Sequence, residues 1–145
     1  MHHRLVEENE GRRTFAVVMD AGEEVMGTLT SFATEQSLAG SSISGIGGFQ
    51  RVTLGYFAWD QQEFVQNKVD EQVELLSFQG TIAEGADGSP KLHVHVVLGR
   101  SDATTRGGHL VEAIVRPTLE AIVVETPEHL HRVYDDETGL VLLKP

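Results

Sequence analysis

His93-Val94-His95 and Gly107-Gly108-His109 gather three imidazoles into one short stretch of a chain that has seven histidines. Side chains on an extended strand alternate between two faces, so His93 and His95 share one face while Leu92, Val94 and Val96 share the other. At a rise of ~3.3 Å per residue the two Cβ atoms lie ~6–7 Å apart. Imidazoles converge across such a gap on one ion, with bonds of ~2.0–2.1 Å. His109 joins them if the strand at 91–98 pairs with one at 108–115. Three such ligands are how proteins commonly hold zinc while leaving a coordination position open. Gly107-Gly108 has a reason in the same picture, since glycine permits close backbone approach just before a ligand. A half-exposed strand also carries histidines with no ligand role; the third imidazole and the glycine pair are what favour a metal.

A metal-activated water needs an acid or base and an anchor for an anionic substrate. Glu112, Arg116 and Glu120 follow His109 closely, and Glu120 stands at the edge of the apolar run Leu119-Glu120-Ala121-Ile122-Val123-Val124. These are the candidate catalytic residues. A solvated strand-end carboxylate, or a salt bridge from Glu120 to Arg116, accounts for the same pattern. His129 and His131, after Pro127, read as surface residues. Gly45-Ile46-Gly47-Gly48 lacks the Lys-Ser/Thr ending of a phosphate loop and runs into strand, not helix, so it reads as a tight β-connection.

The elements that must position these residues are mostly strands. Residues 1–12 are polar and read as a flexible N-terminal segment, leaving 13–145 as one domain. Thr14–Met19 reads as a strand. From Glu23 to about Ser37 the apolar positions Val25, Met26, Leu29, Phe32 and Ala33 recur at helical spacing, with Gly40 as a stop. Short strands follow at 42–46, 52–57, 63–68, 72–76 and 77–83, then 91–98, 108–115, 118–125, 131–134 and 140–143. One helix near the N-terminus followed by many strands argues for an α+β fold over a βαβ repeat.

Composition narrows the function classes. With no cysteine there is no disulfide, thiolate ligand or thiol nucleophile, so a metal must take nitrogen or oxygen ligands. A net charge of −11, with no basic cluster beyond Arg12-Arg13, removes the usual electrostatic basis for binding nucleic acid. No apolar run reaches the ~20 residues of a membrane span, and the acidic N-terminal stretch has no signal-like core. The expectation is a cytoplasmic protein without a membrane partner.

The order of motifs resembles the plants-and-prokaryotes-conserved (PPC) domain family. The resemblance covers 13–143 and rests on Ser44-Gly45-Ile46-Gly47-Gly48 with Val52-Thr53-Leu54-Gly55, then Leu75 to Ile82, Leu92-His93-Val94-His95, Gly107-Gly108-His109-Leu110 and Pro117-Thr118-Leu119-Glu120. It implies a small α+β domain with a mixed, largely antiparallel sheet, assembled as a homotrimer. It also implies zinc at the positions that match the prokaryotic members' histidines, here His93, His95 and His109. Plant members join the domain to an Arg-Gly-Arg-Pro-type segment and bind DNA; this chain has no such segment. Over 91–125 the histidine spacing is similar to that of acetolactate decarboxylase, a zinc lyase. Three functions follow in order: a trimeric metal-binding domain whose zinc either stabilises the assembly or receives a small ligand, anionic ones included; a zinc lyase or hydrolase on a small carboxylate or keto-acid; and a DNA-binding regulatory module.

Overall fold

The computed structural model describes residues 1–144. In chain order the elements are β1 (His2–Asn9), β2 (Arg12–Asp20), α1 (Val25–Glu35), β3 (Gly40–Ala58), β4 (Glu63–Val69), β5 (Val73–Glu84), β6 (Pro90–Gly99), β7 (Thr105–Glu125), β8 (His131–Asp135) and β9 (Leu140–Lys144). They form one nine-stranded sheet, largely antiparallel and made mixed by a single parallel bridge, Glu84 to His131, between β5 and β8. The pairings β3–β5, β5–β6, β6–β7 and β7–β3 close a circuit of four strands. β2 extends it beside β7, and β1 adds to β2.

The single helix packs its Val25, Leu29, Phe32 and Ala33 stripe into the core. Glu24 caps it, its carboxylate accepting from the Met26 and Gly27 amides at 2.9 and 2.6 Å. This carboxylate satisfies amides that have no intrahelical partner and suits the positive end of the helix dipole. Ser37 takes a positive φ of 54° and ends the helix, so Gly40 is the first residue of β3 and not the stop. The helix follows two strands, because residues 2–9, read from their polarity as flexible, form β1. That strand is exposed along its whole length and has no apolar alternation to announce it. It is held by its ladder to β2 and by His3, whose ring sits 5.0 Å from that of Phe32.

Three long strands replace six short ones. The segments read at 42–46 and 52–57 are one strand, β3, those at 72–76 and 77–83 are one strand, β5, and those at 108–115 and 118–125 are one strand, β7. Glycine and proline, read as breaks, instead mark register shifts in continuous ladders, as between Gly47 and Phe49. At this bend β3 and β7 nearly touch. A Cβ on Gly47 would run into the Thr118 carbonyl, and one on Gly48 into that of Arg116.

The helix lies over β6 and β7, whose inward side chains Val94, Val96, Leu98, Leu110, Ala113 and Val115 are all buried. Burying a side chain of this kind contributes about 1.5–3 kcal/mol. The register of β6 is therefore strongly specified, since a one-residue slip would expose this set and bury the histidines. Gly47→Ala is expected to destabilise the protein by about 1–3 kcal/mol through the overpacked contact, seen as a lower urea midpoint at unchanged slope. An unchanged midpoint would mean that the two strands do not approach this closely.

Candidate metal centre

The alternation that buries Val94 and Val96 turns His93 and His95 to the opposite face of β6. β7 supplies the third ring through backbone register, because His109 sits directly opposite His95 in the ladder. Directly opposed residues on an antiparallel pair hold their Cβ atoms ~4.5–5.5 Å apart. The three ring centroids are 5.0, 5.1 and 5.4 Å from one another. The Nε2 atoms of His93 and His95 face each other at 3.1 Å. One nitrogen from each of the three rings lies within 4.8 Å of the others. Ligands around a tetrahedral zinc are separated by about 3.3 Å when the bonds are ~2.0–2.1 Å. Small ring rotations bring this set to that spacing.

The glycines beside the cluster permit the approach. A Cβ on Gly107 would lie 2.8 Å from the Val96 carbonyl, and one on Gly108 would lie 2.9 Å from that of Gly55. Gly55, in turn, leaves room for Phe64 of β4, whose ring packs 5.4 Å from that of His109. These contacts fix the third imidazole on two sides.

Electrostatics keep two of the rings, His93 and His109, in the state a metal needs. Desolvation, followed by the charges of His109, Arg132 and His95, pulls His93 down to about 4. Desolvation and then His95 lower His109 as well. At neutral pH both rings are uncharged, with lone pairs available.

His93 and His109 open into a cavity of about 570 Å³ walled by Phe64, Leu92, Tyr134 and the β9 side chains Leu140 and Leu142. Arg132 of β8 lines the same cavity, with only 6% of its surface exposed. Its Nη2 donates to Thr81 Oγ1 at 2.8 Å, and Thr81 pairs with His93 across β5 and β6. Nothing local in the sequence marks Arg132, since its burial arises from the β8–β9 hairpin docking against β5.

The fold distributes the other candidates elsewhere. Glu112 is exposed and faces Arg51 at 4.0 Å beside a groove that Lys68 and Asp70 share. Arg116 is exposed just before Pro117. Glu120 is exposed opposite Val18 and Ile46, in a shallow apolar groove with Leu76 and Ile122. None of the three lines the cavity of the histidines. His129 and His131 are exposed against Glu84, at 3.7 and 3.8 Å, and stand apart from the cluster.

The Plants and Prokaryotes Conserved (PCC) domain profile matches residues 6–127. Among solved structures, a plant- and prokaryote-conserved protein of Pyrococcus horikoshii is 30% identical, with 92% of each chain covered and a TM-score of 0.85. A metal-containing protein of Archaeoglobus fulgidus is 28% identical over 99% of this chain and 97% of its own, with a TM-score of 0.84. A candidate DNA-binding protein of Bacteroides thetaiotaomicron is 25% identical over 98% and 96%, also at 0.85. A Staphylococcus aureus protein similar to alpha-acetolactate decarboxylase shares the fold only, at 12% identity and a TM-score of 0.53 over 76% of this chain and half of its own. A search of curated proteins gives no match.

The depressed histidines give the metal-free protein a pH dependence of definite sign. Their folded values lie below the ordinary 6.5, so on acidification the unfolded chain takes up these protons first. Their contribution is complete above about pH 6.5 and is lost progressively toward pH 4. Urea titrations of the metal-free protein across this range should show the loss, and His93→Gln should flatten it. Parallel curves for the two proteins would contradict the assignment.

Proposed function

The chain belongs to the Plants and Prokaryotes Conserved domain family, and we propose that it is a divalent-metal-binding member whose ligands are His93, His95 and His109. Zinc is the preferred ion. The observation that carries this reading is the convergence of three imidazole nitrogens within 4.8 Å, with His93 and His109 lining one cavity. Nitrogen donors suit zinc among the common ions, whereas magnesium and calcium require oxygen. When bound, zinc would supply a Lewis acid able to polarise a ligand oxygen. The metal content of the Archaeoglobus relative is in keeping with this reading.

The lyase or hydrolase alternative gains no support from where Glu112, Arg116 and Glu120 lie. A DNA-binding role, the description carried by the Bacteroides relative, has the net charge of −11 against it here. Homotrimeric assembly remains part of the proposal. Its support is the patch of Val18, Ile46, Leu76 and Ile122, which is 38–60% exposed residue by residue and lines one groove. Contiguous apolar surface of this kind marks interaction sites.

Untagged protein purified without added zinc is expected to carry about one equivalent per chain. His93→Ala and His109→Ala should lose it, while His2→Ala/His3→Ala should not. Zinc at ~100 times its dissociation constant should stabilise the wild type by about 2.7 kcal/mol. Its affinity should fall in acid as the imidazoles protonate. Metal content that is unaffected by His109→Ala, or absent from the wild type, would contradict the proposal.

A further inference from the structure

We propose that the cavity beside the histidines binds a small carboxylate with an apolar body, and that Arg132 is its anchor. Arg132 is buried in the cavity wall, and its Nε is enclosed with no hydrogen-bond partner. Among the described residues, Thr81 is its one hydrogen-bond partner. A buried guanidinium without a counter-charge is costly, and a sequence gains nothing in stability from keeping one.

The nearby carboxylates are engaged elsewhere. Asp87 holds Lys91 at 2.8 Å. Glu84 faces His129 and His131. Asp135 accepts from the Thr138 amide and hydroxyl at 3.0 and 2.6 Å. Lys91, the other cation on the cavity rim, is thus neutralised, and Arg132 is left to be met from outside the chain.

Its complement is an anion, and the walls say which kind. One guanidinium without a counter-charge matches a monoanion, and its planar fork suits a carboxylate. A phosphate dianion calls for more donors than this wall offers. Phe64, Leu92, Leu140 and Leu142 would cover a hydrocarbon portion of the same molecule. Arg132 reaches Thr81, the cross-strand neighbour of His93, so the guanidinium and the proposed metal share one ligand-sized space. A metal held by the histidines would be a second anchor for the same ligand; that part rests on the metal reading above, and the role of Arg132 does not.

Titration calorimetry with acetate, butyrate, hexanoate and inorganic phosphate, on zinc-loaded and metal-free protein, tests this. The wild type should bind the carboxylates more tightly as the chain lengthens, and phosphate weakly. Arg132→Met should weaken hexanoate at least about tenfold with zinc content unchanged, and its unfolding temperature without ligand should equal or exceed that of the wild type. Arg132→Lys keeps the charge and loses the fork, so it should bind more weakly than the wild type; it serves if the Met variant does not fold. Equal carboxylate affinity in wild type and variant, no binding by the wild type at millimolar concentration, or a preference for phosphate would each overturn the inference. If the wild type holds no zinc yet Arg132→Met still abolishes carboxylate binding, the metal reading falls and the anchor stands.

Discussion

The pairing of His95 with His109 across β6 and β7 is the contact on which the site depends. It is a backbone register, and both strands hold that register through side chains on the other face. Val94, Val96 and Leu98 are buried in the core that the helix packs against, as are Leu110 and Val115, so neither strand can slide without exposing core. The hydrophobic effect thereby positions three polar rings that take no part in the core. Glycines at 55, 107 and 108 remove the side chains that would otherwise hold the strands and Phe64 away from His109.

Placing three imidazoles together has an electrostatic consequence. Each protonated ring would repel the others, and the surrounding walls remove water that would screen them. For His93 and His109 neutrality is the state this geometry favours, and it is also the state in which imidazole ligates. Arg132 adds a positive charge to the same cavity and reinforces that bias. Arrangement and protonation state thus follow from one packing solution.

Much of the site was legible because it is local. The alternation within Leu92-His93-Val94-His95-Val96 predicts the shared face, and a strand pairing close by brings in His109. The fold class was legible in the same way, through a single helical periodicity among strand signals. What escaped were features set by long-range contacts. β3 and β7 read as four strands because glycines and Pro117 look like breaks, whereas they are bends in ladders with neighbours on both sides. β1 carries no apolar alternation, so only its partner strand defines it. Glu120 stands 11 residues after His109, and at ~3.3 Å per residue an extended strand carries it ~36 Å along β7. Arg132 lies far from the histidines in sequence and meets them only because the C-terminal hairpin docks on β5.

The central claim is that a metal ion is held by three histidines from two adjacent strands. Anomalous diffraction from crystals of protein grown without added metal, recorded just above and just below the zinc absorption edge, tests it most directly. The account predicts a peak above the edge, absent below it, bonded to nitrogens of His93, His95 and His109 at ~2.0–2.1 Å. A featureless map at these rings, or a peak on Glu84 with His129 and His131 instead, would contradict it.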